Sequence, residues 1–96
     1  MTVTFHPEAE KEFNDAIDYY EAIRSGLGYD FSIEIYTAVQ RSVSLPKTWP
    51  ILVGEIRRSL VKRFPYAVLY AEEDDGISII AIMHLHRHPD YWKDRS

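Results

Sequence analysis

Two stretches in the first half of the chain repeat apolar residues every three or four positions, the period of an amphipathic α-helix. The first begins at Pro7, which suits a first helical position, and is expected to end at Gly26 and Gly28. The second is expected from about Asp30, a good capping residue, to Pro46. Because the intervening loop is short, we predict an antiparallel helix hairpin. The apolar stripes are Ala9, Phe13, Ala16, Tyr20 and Ile23, then Phe31, Ile35, Ala38, Val39, Ser42 and Leu45.

The second half of the chain changes to short segments that are rich in β-branched and aromatic residues and lie between turn signals. Strands are predicted at 55–61, 66–72 and 77–86, with Pro65 at a strand start and a hairpin turn at Asp74, Asp75 and Gly76. Residues 3–5 form a short extended start. The predicted fold is therefore α+β: a short N-terminal strand, an antiparallel helix hairpin, then an antiparallel three-stranded meander packed on the helices.

Composition describes one domain that spans residues 1–96, since 96 residues with 46% hydrophobic content bury a modest core. The absence of cysteine excludes disulfides and Cys-based zinc sites and is consistent with a reducing compartment. The N-terminus carries no basic leader, and no segment reaches the roughly 18 apolar residues of a membrane span. We expect a cytoplasmic protein without a membrane anchor.

The formal net charge is −4, and the acidic excess lies in the first half of the chain. Overall acidity argues against a general nucleic-acid binder, because non-specific affinity comes mostly from neutralising phosphates. The acidic residues of the first helix are interpreted as a solvated face. They are Glu12, Asp15, Asp18 and Glu21.

Candidate chemistry lies where the apolar run 77–83 changes to His, Arg, Tyr and Trp, since the chain leaves the core there. Cleaving RNA without a metal needs a base, an acid and cations for the phosphate, and suitable residue types are present. The candidates for such a nuclease are Arg63, His84, His86, Arg87 and Tyr91, with His88 nearby. If the chain instead acts by binding, the candidates for contact with a target or partner are Arg57, Arg58, Lys62, Arg87, Tyr91 and Trp92.

Several of these residues also have an ordinary structural explanation. Alternate positions place His84, His86 and His88 on one strand face, a spacing that can hold zinc, but Pro89 bends the chain and no cysteine completes a site. We therefore expect no metal and no cofactor, and a hydrogen-bonded His84 near the core. Arg57 and Arg58 alternate faces, so at most one points to the core side. Trp92 is expected to fold back over a sheet edge, while the role of Tyr91 stays open.

The order of elements, together with three sequence segments, resembles the RelE/ParE superfamily of type II toxin–antitoxin toxins over nearly the whole chain. The segments are Arg57-Arg58, residues 64–70, and the closing His84-x-x-Arg87-x-Pro89-x-Tyr91-Trp92. The phrase Arg-Phe-Pro-Tyr at 63–66 and the closing segment look more like the ParE-type, plasmid-stabilisation branch than the RelE-type branch.

The resemblance implies a small toxin held inactive by a cognate antitoxin whose C-terminal region folds across the helices and sheet. In the ParE branch the implied target is DNA gyrase, inhibited by binding; in the RelE branch it is mRNA, cut on the ribosome. Because RelE-type nucleases are strongly basic and this chain is acidic, we favour gyrase. A degenerate member that serves only as antitoxin partner or co-repressor is the third alternative. The antitoxin class, dimerisation of the free toxin and assembly into a higher-order hetero-oligomer stay open.

Overall fold

A computed structural model describes residues 2–95, so Met1 and Ser96 of the predicted domain lie outside the described residues. The fold is α+β, as predicted. A first strand, β1 (Thr2–Phe5), precedes two helices, α1 (Pro7–Ile23) and α2 (Leu27–Ser44). Four strands follow: β2 (Ile51–Val53), β3 (Ile56–Leu60), β4 (Tyr66–Glu73) and β5 (Gly76–His84). A 3₁₀ turn at Lys93–Arg95 ends the described chain. Neither helix is long and apolar enough to cross a membrane.

The strands form one five-stranded sheet in the order β1-β5-β4-β3-β2. The predicted meander is confirmed, because β3, β4 and β5 pair in antiparallel fashion. The N-terminal strand joins it in parallel, with Val3 opposite Ile77. The sequence analysis missed β2, which pairs with β3. Only three residues separate Pro50 from Gly54 here, too few to show a strand period.

The helix hairpin packs on one face of the sheet and encloses the main core there. Phe31 of α2 lies 5.2 Å from Phe64 and 4.9 Å from Tyr66, measured between ring centroids. Tyr20 of α1 lies 4.9 Å from Phe64, so aromatic rings from both helices and the β3–β4 connection meet at one end of the core. Side chains of Val68, Tyr70, Ile77, Ile79 and Ile82 complete this core from the sheet.

The opposite face of the sheet, here called the outer face, has a smaller apolar cluster. Ile56, Leu69, Ile80 and Met83 belong to it. Trp92 folds back onto this face rather than over an edge, with only 2% of its surface exposed. Its indole N–H donates to the Pro89 carbonyl at 2.7 Å, which closes the C-terminal segment against the sheet.

The connection between the helices differs from the prediction. The second helix begins at Leu27 and not at Asp30, so the predicted cap is wrong. The Glu21 carboxylate of α1 accepts the N–H groups of Gly26 and Gly28 at 3.0 Å, and thus supplies the cap from the preceding helix. A Cβ at Gly28 would lie 2.6 Å from the carbonyl oxygen of Ile17, which explains a glycine inside a helix.

Candidate functional site

The C-terminal segment is fixed to α1 by one carboxylate. Both oxygens of Glu12 accept from the Arg95 guanidinium, at 2.8 and 3.0 Å, in a bidentate pair. Glu12 Oε1 also accepts the Ile82 N–H at 3.1 Å, and Arg95 donates to the Ile80 carbonyl at 3.2 Å. The Ile82 N–H and the Ile80 carbonyl lie beyond Phe5 and Ile79, the last pair between β1 and β5. Glu12 and Arg95 therefore supply hydrogen bonds to β5 where β1 no longer reaches.

Two further residues complete this group. The Arg87 guanidinium lies 3.6 Å from Glu12 Oε2 and 3.9 Å from the centroid of the Tyr91 ring. The Arg95 guanidinium lies 4.9 Å from the same ring. Contact of both guanidiniums with one ring gives cation–π attraction in addition to the ion pairs. We call Glu12, Arg87, Tyr91 and Arg95 the C-terminal cluster.

The Tyr91 hydroxyl is buried and makes no hydrogen bond of acceptable geometry within residues 2–95. Burial raises the pKa of Tyr91, and the Glu12 carboxylate raises it further because it disfavours a second negative charge. The hydrogen bond to Glu12 raises the pKa of Arg95. Tyr91 therefore stays protonated in neutral solution and does not act as a base in this arrangement.

The three histidines lie at the end of β5 but do not form a joint site. The Nδ1 atom of His84 accepts the His86 N–H at 3.1 Å, and Nδ1 of His88 accepts the Asp90 N–H at 3.2 Å. His84 is half-buried against the Tyr66 ring, with centroids 5.1 Å apart, whereas the other two are exposed. Within the described residues, no group of three or more His, Asp or Glu is placed to hold a metal.

Two of the predicted cations already have protein partners. Arg57 lies on the helix side of the sheet, opposite Tyr70, and donates to the Trp49 carbonyl at 2.7 Å. Arg63 lies in the β3–β4 connection with a φ of 70° and pairs with acidic residues of α2. Its distances are 3.6 Å to Asp30 and 3.8 Å to Glu34. Both arginines therefore hold the hairpin and the loops to the sheet.

The remaining cations lie together and are free. Arg58, on the outer face opposite Leu69, and Lys62 line a cleft of about 400 Å³ together with Arg41 of α2. None of the three has an ion pair or side-chain hydrogen bond within residues 2–95. The apolar part of the wall comes from Trp49, Pro50 and Leu60. We call this the cationic cleft.

An exposed apolar row runs along α2. Tyr29, Ile33 and Tyr36 are 68%, 43% and 52% exposed, at the spacing that places them on one helix face. A second shallow cleft continues this row through Gln40 and Arg41 to Leu45. We call Tyr29, Ile33, Tyr36 and Leu45 the α2 row. Arg41 lines both clefts, so the α2 row and the cationic cleft are adjacent.

Sequence reasoning missed or misassigned several of these residues. Of the predicted solvated face, only Glu12 is largely buried, with its side chain 13% exposed in its ion pairs. Asp15, Asp18 and Glu21 are exposed as predicted, although Glu21 also caps α2. Arg95, 83 positions from Glu12, was not considered, because no local pattern reveals so distant a pair. Arg41 was not singled out, because no local sequence pattern shows that α2 lies beside Arg58 and Lys62.

Of the five nuclease candidates, the structure brings together two pairs. Arg87 contacts Tyr91, and the rings of His84 and His86 lie 5.2 Å apart. Arg63 is held by α2. In this conformation the Arg87 charge is paired with Glu12, so the cation that a phosphate requires is already occupied.

The architecture is that of a small α+β protein in which a helix hairpin packs on one face of a mixed sheet. Among solved structures, it is similar to a chain of the chromosomal ParDE toxin–antitoxin system from P. aeruginosa. That likeness has a TM-score of 0.65 at 15% identity and covers 90% of this chain and 97% of the other. At this identity, the likeness shows that the two chains share a fold. No family model and no curated protein matches the sequence.

Proposed function

We propose that this chain is the toxin of a type II toxin–antitoxin system, that it resides in the cytoplasm, and that a cognate antitoxin neutralises it. The observation that carries this proposal is the fold shared with a chain of a ParDE toxin–antitoxin system over 90% of the present chain. The sequence resemblance at residues 63–66 and 84–92 supports the same class independently.

The antitoxin is proposed to cover the α2 row. Large apolar side chains at three successive positions of one helix face are costly to expose and are typical of an interaction surface. Tyr29 and Tyr36 suit such a surface because a tyrosine provides contact area while its hydroxyl stays hydrated. The resemblance, which implies an antitoxin segment across the helices, agrees with this placement.

For the target, we propose DNA gyrase, inhibited by binding and not by cleavage of nucleic acid. Two features support this choice over a ribosome-dependent nuclease. The net charge of −4 opposes docking into ribosomal RNA. The C-terminal cluster also pairs Arg87 with Glu12 and buries the Tyr91 hydroxyl, so these two of the five nuclease candidates do not face a substrate in this conformation.

The test is induction of the chain alone in a bacterial host, with incorporation of labelled precursors into DNA and protein followed over the earliest minutes. We expect growth arrest with an early fall in DNA synthesis. An early fall in protein synthesis would instead support the nuclease, and Arg87→Ala and Tyr91→Phe would then be tested for mRNA cleavage on purified ribosomes. Unimpaired growth at a confirmed level of folded protein would leave only the antitoxin-partner role.

A second arm tests the antitoxin surface. The chain is co-expressed with the protein encoded by an adjacent short reading frame, and the complex is isolated. Ile33→Asp is expected to release the antitoxin and restore growth arrest, because it places a charge in an apolar contact. Asn14→Asp, an exposed change on α1, is the matched control and should leave the complex intact. If Ile33→Asp is still neutralised, the antitoxin does not use the α2 row.

A further inference from the structure

The cationic cleft is lined by the arginine and lysine side chains of residues 2–95 that have no internal partner. Elsewhere arginine and lysine side chains meet carboxylates or carbonyls: Arg63 with Asp30, Lys47 with Glu72, and Arg57 with the Trp49 carbonyl. Arg41, Arg58 and Lys62 all line one cleft in a chain of net charge −4, and none of them is paired. Like charges brought together without a partner repel, so the arrangement favours an external anion.

We propose that this cleft binds an extended acidic peptide segment, with carboxylates on the three cations and an apolar side chain against the wall. The inference rests on the proposed function in one respect only, because the source of the segment is the antitoxin. Arginine suits this task, since its planar fork pairs with a carboxylate through two parallel hydrogen bonds. Trp49 and Leu60 supply the apolar contact, and Leu60 is 54% exposed.

The strand edge beside the cleft favours a peptide backbone. The Arg58 N–H donates to the Pro50 carbonyl at 3.1 Å, and β2 pairs with β3 only at Ile56 and Arg57. Beyond Arg58, the side of β3 away from β4 has no neighbouring strand, and Leu60 lies on that open stretch. An extended segment placed there would bond to the free edge while its side chains reach the cations.

The surroundings of the cleft oppose a nucleic acid. The neighbouring surface at the β2–β3 turn is mainly acidic: one depression is lined by four carboxylates and by Arg57. The carboxylates are those of Glu55, Glu72, which pairs with Lys47, Glu73 and Asp74. A polyanion that ran past the cleft along this edge would meet those carboxylates, whereas a short peptide with a few acidic residues would end before them. Because Arg41 lines both this cleft and the one beside the α2 row, we expect the partner to have an apolar segment on α2 next to an acidic one in the cleft.

The test uses the purified full chain and a short peptide, blocked at both ends, that alternates glutamate and leucine. Binding is followed by two-dimensional nitrogen–proton NMR, which detects weak association. The chain has two tryptophans, and their indole N–H signals provide an internal comparison. Trp49 lines the cleft and its N–H has no acceptor within residues 2–95, whereas the Trp92 N–H is bound to the Pro89 carbonyl. We expect the Trp49 signal to move and the Trp92 signal to stay.

Variants identify the contacts. Arg58→Gln is expected to weaken the peptide about tenfold, since one charge-assisted hydrogen bond to a carboxylate is worth roughly that factor. Arg41→Gln and Lys62→Gln are expected to weaken it as well. Lys11→Gln removes the same charge from α1, where Lys11 pairs with Asp15, and should leave the affinity unchanged. The same spectra show whether each variant is folded.

Several results would overturn the proposal: no shift of the Trp49 signal, equal binding of a peptide with glutamine in place of glutamate, or equal weakening by Lys11→Gln. Tighter binding of a single-stranded oligouridylate would assign the cleft to nucleic acid instead. The titration does not require toxicity, and growth arrest does not require the cleft. A chain that binds the peptide without arresting growth would therefore contradict the proposed function alone, and the reverse outcome would contradict this inference alone.

Discussion

Among the polar contacts of this structure, those made by the Glu12 carboxylate are expected to contribute most to stability. Replacing it by alanine leaves Arg95, only 12% exposed, without its bidentate partner and removes the acceptor of the Ile82 N–H. It also frees Arg87, whose side chain is 55% exposed and can turn to water. The loss of stability should therefore come mainly from Arg95 and the Ile82 N–H, and little from Arg87.

The size of the effect follows from these two consequences. Removing one partner of a buried ion pair costs about 3–5 kcal/mol, and an unsatisfied buried N–H about 1–3 kcal/mol. The two costs overlap, because water that reaches Arg95 also reaches the strand N–H, so we expect a total of about 3–4 kcal/mol for Glu12→Ala. Glu12→Gln keeps an acceptor for Ile82 and should lose about half as much. A small domain has only about 5–15 kcal/mol in all.

Urea unfolding followed by tryptophan fluorescence measures these differences, given two-state behaviour in a domain of this size. Asp15→Asn is the matched control: it breaks a pair with Lys11 whose side chains are 70% and 64% exposed, and should cost under about 0.5 kcal/mol. A double-mutant cycle between Glu12→Ala and Arg95→Ala should show positive coupling. Equal losses for Glu12→Ala and Asp15→Asn would refute the assignment of Glu12 as the anchor of the C-terminal segment.

Three other outcomes follow from the structure. Gly28→Ala should destabilise the fold by about 2 kcal/mol in thermal unfolding, because the added Cβ lies 2.6 Å from the Ile17 carbonyl oxygen and the helices must separate. Burial raises the pKa of Tyr66 from 10.0 to about 12, so its contribution to stability is full below pH 10 and is lost as the pH rises toward 12. Tyr66→Phe should make the alkaline fall in the urea midpoint shallower; an unchanged slope would contradict this. Ile33→Asp should leave the free energy of unfolding within about 0.5 kcal/mol, since this side chain is 43% exposed.

The elements with a clear periodic signal were predictable from the sequence. Pro7 is the first residue of α1, Asp74 and Asp75 form the turn of a hairpin, and the meander has the expected order. The start of α2 was not predictable in this way, because its cap comes from Glu21 of the preceding helix. Rules for capping consider only the residue next to the helix. β2 was also missed, since its pairing with β3, and not its own composition, makes it a strand.

The candidate site was harder to predict from the sequence, because it depends on pairs of residues that are far apart along the chain. Charge patterning on one helix cannot show that Glu12 meets Arg95, which is 83 residues away, and so the solvated face was the natural interpretation. The same limit applies to the cationic cleft. Arg58 and Lys62 were already candidates for contact with a partner. Only the fold brings Arg41 of α2 next to them and shows that Arg57 and Arg63 are occupied.

The distinction between free and engaged cations bears directly on how this chain acts. Arg87 can leave Glu12 at a cost of about 1 kcal/mol, because its side chain is half exposed. Tyr91 cannot follow so easily, since its hydroxyl is buried and two guanidiniums lie on its ring. A nuclease that used both residues would need its substrate or the ribosome to lift the C-terminal segment and to supply that energy from binding. A protein that acts by binding need not move Tyr91 or the C-terminal segment, and so meets no such cost.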